Sequence, residues 1–282
     1  MSQETSQESI ATRKVVYTIP GVDAVTVRRD EAYGVSDTGP LTMDLYYPPA
    51  STRGSRVPAV VVVAGFPDRG FQQKVGCPFK EMGSSVSWGQ LTAASGLVAI
   101  TYTNQEPARD VHALLRHIRQ HAASLGVDEN RIGLWASSGN APLALSVLMQ
   151  DAGTCLKCAV LSCGYTLDLD GSTGVAEAAK TWGFANPGAG KTIDDLPRDL
   201  PMFIARAGHD RMPQLNATLD RFVAHALTRN LPVTLVNHHV APHSFDLLHD
   251  SEASRECIRH MLAFMRFNLT GLDAAASPPT RP

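Results

Sequence analysis

Residues 131–140 read Arg-Ile-Gly-Leu-Trp-Ala-Ser-Ser-Gly-Asn and run straight into the apolar segment that begins at Ala141. A strand over 131–136 followed directly by a helix over 139–149 leaves Ser137 and Ser138 on the turn between them. Open parallel sheets bind their ligands just beyond the carboxyl ends of their strands. This turn is therefore the first place to look for chemistry.

Outward from that unit the alternation repeats. Upstream, residues 57–64 (VPAVVVVA) form an almost unbroken apolar run closed by Gly65, the pattern of a central strand covered on both faces. Pro58 fits there only before the ladder begins. A helix over 88–95, a strand over 98–103 and a helix over 107–124 lead to the 131–140 unit. Downstream come a strand over 157–163, then strand 201–206, helix 213–229, strand 232–238 and helix 251–267. Residues 14–18 and 41–47 read as early antiparallel strands.

The pattern predicts an α/β fold: a mostly parallel, doubly wound sheet with helices on both faces. Residues 164–199, rich in Gly, Asp, Pro and Thr with a short helical pattern over 175–182, read as a small lid or cap insertion. The expected organisation is a mobile arm over 1–13, one domain over 14–272 and a disordered tail over 273–282. No internal repeat points to a solenoid or propeller.

Composition agrees with a single large core. Of 282 residues, 44% are hydrophobic and 18% charged, with a formal net charge of -2. Lys and Arg are scattered, so nucleic acid is not an expected partner. The polar N-terminus lacks a signal-peptide pattern, and no segment is apolar for long enough to span a bilayer, so no membrane partner and a cytoplasmic location are expected. The five cysteines (Cys77, Cys155, Cys158, Cys163 and Cys257) show no disulfide framework. Monomer and homodimer both remain open.

Three predicted strand ends carry the residue types of a nucleophile–base–acid triad. On the 137–140 turn Ser138 is the candidate nucleophile: it reads as AxSxN where the usual elbow reads GxSxG. Ser137 would put bulky Trp135 at a position that wants a small residue, so Ser138 is the choice and Ser137 the alternative frame. A Ser-Ser pair at a helix start also serves as an ordinary N-cap. After strand 201–206, Ala207-Gly208-His209-Asp210 offers Asp210 as the acid. After strand 232–238, Ala241-Pro242-His243-Ser244-Phe245 offers His243 as the base. Each alone has a bland explanation as a cap or a surface residue; the order Ser, Asp, His at suitable strand ends is much rarer.

On these residues the chain resembles the α/β-hydrolase superfamily over roughly 41–267, and within it the dienelactone-hydrolase-like branch, whose PHGF signature is similar to Pro242-His243-Ser244-Phe245. That branch uses a cysteine nucleophile where this chain has Ser138. The resemblance implies an oxyanion hole from the backbone N–H of Gly139 and of Phe66, in a Gly65-Phe66-Pro67-Asp68 loop that resembles the HGFP loop. Phe71, Trp182 and Phe184 are candidate pocket aromatics, Phe71 on the loop after the oxyanion turn.

No metal is expected. Cys155 and Cys158 make a lone CxxC without a second pair; His117 with His121, and His238 and His239 near His243, lack a carboxylate partner. The expected function is hydrolysis of an ester-like bond (carboxylester, lactone or thioester) in a small-molecule acyl substrate, without a cofactor. The same triad serves peptidases, acyltransferases and carbon–carbon hydrolases, and the non-standard elbow keeps open a non-catalytic binding protein on this scaffold.

Overall fold

The computed structural model describes residues 9–49, 56–151 and 155–271. The predicted disordered tail and most of the predicted arm lie outside those residues.

The first strands are β1 (Thr26–Ser36) and β2 (Gly39–Tyr47), a long antiparallel hairpin. Residues 14–18, expected as a strand, are irregular backbone instead. They are tied down by Val15 N–H to Ser87 Oγ (3.0 Å) and Val16 N–H to the Asp246 carbonyl (2.8 Å), so this backbone is bound to residues of two helices in place of a neighbouring strand. β1 carries no strand signal in its sequence, because its charged run Arg28-Arg29-Asp30-Glu31 belongs to a half-exposed, bulged edge strand.

Then follow β3 (Val57–Val62), α1 (Asp68–Val75), α2 (Gly83–Ala94), β4 (Val98–Tyr102), α3 (Pro107–Gln120) and α4 (Ala122–Leu125). The single helix expected over 107–124 is broken at His121, after which a four-residue turn ends on Gly126 with φ 63°. Next come β5 (Val127–Ser137), α5 (Ala141–Asp151), β6 (Leu156–Ser162), α6 (Gly174–Trp182), β7 (Met202–Ala207), α7 (Leu215–Thr228), β8 (Val233–His238), α8 (Phe245–Leu248) and α9 (Glu252–Thr270).

The strands form one eight-stranded sheet in the order β1-β2-β4-β3-β5-β6-β7-β8. β1 and β2 are antiparallel and everything from β4 to β8 is parallel. Pro58 sits where the β3–β5 register slips, the irregularity a missing ladder N–H imposes. Val60 and Val61 are fully buried because helices cover both faces. A Cβ at Gly133 would point at Leu269 of α9, and two residues further on Trp135 packs on Trp88 of α2, so α9 and α2 share one face. Among the described residues, no helix is long and apolar enough to cross a membrane.

Candidate active site

The elbow forms where β5 stops. Ser137 is its last strand residue, and Ser138 opens a 3-10 turn, with φ 53°, that feeds α5. A non-glycine residue in the left-handed region is held there by its surroundings. Here they are close: Tyr165 N–H donates to the Ser138 carbonyl (3.2 Å), and a Cβ at Gly164 would lie 2.5 Å from the Ala141 Cβ. Ala136, fully buried at the position where elbows usually carry glycine, leaves the room this turn needs.

Asp210 and His243 arrive on neighbouring loops after β7 and β8. The loops are sewn together by Gly208 N–H to the His238 carbonyl (2.9 Å) and His209 N–H to the Ala241 carbonyl (2.8 Å). A Cβ on Gly208 would lie 2.1 Å from the His239 carbonyl oxygen, so only glycine permits that approach. The structure brings the three side chains expected as a triad into one chain of contacts. Ser138 Oγ lies 2.9 Å from His243 Nε2, and His243 Nδ1 lies 2.6 Å from Asp210 Oδ2. The Asp210 side chain is fully buried, and its other oxygen accepts from Met212 N–H at 2.9 Å. With its acceptors engaged, the carboxylate holds one edge of the imidazole and turns the other toward the hydroxyl.

The loop after β3 meets the elbow directly. Gly65 N–H donates to Asn140 Oδ1 at 2.7 Å, and a Cβ on Gly65 would sit 2.9 Å from both the Asn140 Cα and the Gly139 carbonyl oxygen. Asn140, which fits poorly as an elbow residue by pattern, is the clasp between the two loops. Asn104, just past β4, completes it by donating from Nδ2 to the Phe66 carbonyl at 3.1 Å, while its own N–H donates to Asp68 Oδ2 at 2.7 Å. Burial pushes the Asp68 carboxyl above the usual carboxylate range, although N–H donors from Phe79 and Asn104 oppose that shift. Asn104 was legible in principle, since it stands at a predicted strand end.

A cavity of ≈ 320 Å³ opens over Ser138 and Gly139 and includes Phe71, Trp182 and Phe184 in its lining. Phe71 lies on helix α1 and not on the expected loop, because the chain turns helical at Asp68. Phe66 packs edge-on to Phe184 (centroids 5.8 Å), which stacks on Tyr165 (5.4 Å). Tyr165 and Met212 also line the cavity and were not singled out from sequence.

No disulfide joins Cys77, Cys155, Cys158, Cys163 and Cys257, all of which lie among the described residues. Among the described residues one group of potential metal ligands gathers, Cys163 with Asp210 and His243. In it the carboxylate and the imidazole face each other, and burial pushes the Cys163 thiol well above its ordinary value, away from the thiolate a metal would need. The CxxC pair and the other histidines form no such group there.

The eight-stranded, mostly parallel sheet with helices on both faces and a strand-elbow-helix unit at its centre defines the α/β-hydrolase fold. No protein-family model matches the chain, and no curated protein sequence does. Solved structures do resemble it. A thermophilic esterase, Est2, from the Planctomycetes species Thermogutta terrifontis is 20% identical with a TM-score of 0.65, over 92% of this chain and 97% of that one. A bacterial heroin esterase is 16% identical with a TM-score of 0.67, over 90% of this chain and 87% of that one. Thermogutta terrifontis esterase 2 phosphonylated by sarin is 17% identical with a TM-score of 0.61, over 91% and 98%. At these identities the likeness establishes the fold.

Proposed function

We propose that the chain is a serine hydrolase of ester-like bonds in small-molecule substrates, with Ser138 as nucleophile, His243 as base and Asp210 as the orienting acid. The observation that carries this reading is the pair of contacts at 2.9 Å and 2.6 Å linking hydroxyl, imidazole and buried carboxylate. His243 takes the Ser138 proton as Oγ attacks the carbonyl, and the N–H groups of Phe66 and Gly139 receive the oxyanion. His243 then protonates the leaving alcohol. A water activated by the same imidazole releases the acid from the acyl-enzyme, and none of these steps calls for a cofactor.

The fold neighbours lend support, being an esterase, a heroin esterase and an esterase phosphonylated by sarin. The resemblance of residues 242–245 to the dienelactone-hydrolase signature keeps lactones in the substrate class with carboxylesters and thioesters.

The test is intact-mass spectrometry after incubation with a fluorophosphonate. A single adduct on wild type that is lost in Ser138→Ala and kept in Ser137→Ala is the expected result. Loss only in Ser137→Ala shifts the elbow frame, and an unlabelled wild type overturns the reading in favour of a non-catalytic binder.

A further inference from the structure

We infer that a second cavity beside the elbow is an alcohol subsite, shaped for a small uncharged alcohol that carries a hydrogen-bond acceptor. The inference rests on the hydrolase reading and extends it to a substrate class. The cavity has a volume of ≈ 190 Å³ and shares Phe66, Phe71 and Val75 with the main pocket as a common wall. Ser137 and Asn140 of the elbow and Ser244 and Leu247 of the segment after His243 close it. Ile10, from the N-terminal stretch whose Ala11 carbonyl accepts from Gly83 N–H at 2.7 Å, forms part of its rim.

Position decides which half of an ester belongs here. His243 hands its proton to the departing alcohol, so the alcohol leaves on the side of Ser138 walled by the residues that follow His243. The main pocket, bordered by Tyr165, Phe184 and Met212 and by no residue of that segment, is left to the acyl half. Its stacked aromatic lining suits an apolar or aryl acyl group.

Chemistry decides what kind of alcohol fits. Trp135 and Ser85 line the second cavity at 4% and 2% exposure, and Trp135 Nε1 and Ser85 Oγ have no hydrogen-bond partner among the described residues. Native proteins leave few buried donors unanswered, and such atoms beside a cavity point to a ligand that answers them. Among the described residues no Lys or Arg is in the lining, and its one carboxyl there, Asp246, already accepts from Trp88 Nε1 at 2.8 Å. An anionic or cationic group would thus find no counter-charge, whereas an ether or carbonyl oxygen is the neutral acceptor that such donors call for.

The test compares 2-methoxyethyl benzoate with n-butyl benzoate, which differ by one oxygen in place of a methylene. The ratio of their kcat/KM values is measured in wild type, Trp135→Phe and Ser85→Ala, so that intrinsic reactivity cancels. A fall of about fivefold in that ratio in Trp135→Phe, with a fall in the same direction in Ser85→Ala, is expected for one lost neutral hydrogen bond. The acyl pair methyl methoxyacetate and methyl butyrate should keep its ratio in both variants. Should Trp135→Phe fail to fold, Ser85→Ala carries the same readout. Turnover with an unchanged alcohol-pair ratio overturns the subsite, as does a change confined to the acyl pair. A wild type that turns over none of the four esters overturns the hydrolase reading beneath it.

Discussion

Asn140 and Asp246 are the residues whose roles depend most on their surroundings. Asn140 is 3% exposed, and its side-chain oxygen is the acceptor for Gly65 N–H. In Asn140→Ala that N–H is left buried without a partner, and the loop presenting Phe66 loses its tie to the elbow. We expect kcat to fall about tenfold with KM little changed, and Asn140→Asp, which keeps an acceptor, to recover part of the loss; steady-state kinetics on an aryl ester decides. A loss confined to KM would show that the clasp serves ground-state binding instead. For Asp246, complete burial pushes the carboxyl above its ordinary range, against the opposing hydrogen bond from the Trp88 indole. Its protonated form is favoured by folding, so its contribution to stability is full below the ordinary carboxylate range. That contribution is lost as pH rises through the raised folded value. Asp246→Asn removes the charge, and its Tm relative to wild type should climb between acid and neutral pH, by roughly 2–4 °C for each kcal/mol recovered. Parallel Tm curves for the two proteins would contradict this.

At the scale of elements, the β1–β2 hairpin is fastened by a buried ionic group. Lys80, in the short turn before α2, lies 2.7 Å from Asp30 Oδ1 and 2.8 Å from Asp44 Oδ1, and the Asp44 side chain is fully buried. Burial alone would lower the Lys80 pKa, but the bonds to both carboxylates outweigh it and hold the ammonium above its usual value. The β1 bulge brings Asp30, at φ 56°, within reach, and Asp30 N–H also donates to Asp44 Oδ1 at 2.9 Å. Lys80→Met would leave Asp44, among the described residues, with Arg29 at 3.4 Å as its ionic partner, and should cost about 3 kcal/mol in denaturant unfolding. Adding Asp44→Asn to that variant should restore much of the loss; a single variant as stable as wild type would show the group to be energetically idle. The same scale explains how two catalytic candidates far apart in sequence meet. β7 and β8 are adjacent and parallel, so the loops leaving them emerge side by side, and the glycine at 208 lets them touch.

Across the whole molecule, the formal net charge is only -2, and among the described residues the main pocket has Lys74 as its one charged lining residue. Long-range steering of a neutral ester should therefore be weak. Raising salt from low to molar concentration is expected to change kcat/KM for an uncharged ester by less than about twofold; a steep fall would reveal an electrostatic term that this charge distribution does not predict.

Much of this design is written along the chain. The apolar run at 57–64, the strand-helix alternation and the order Ser138, Asp210, His243 are local or one-dimensional signals, because strand burial and helix periodicity are set by neighbouring residues. They were sufficient for the fold class and for naming the three side chains that meet. What only the tertiary structure decided comes from distant segments touching. β1 is held by a hairpin partner and a buried ion pair, not by its own pattern. Asn140 and Asn104 are ordinary polar residues until Gly65 and Phe66 are brought against them. Residues 14–18 have strand-like side chains and yet are claimed by Ser87 and Asp246. The second cavity exists because α2, β5 and the segment after His243 converge on Trp135. Sequence periodicity records which face of an element is apolar. Which donor is left without a partner depends on contacts between distant segments, such as Trp88 and Asp246, 158 positions apart, and these are made only when the sheet closes.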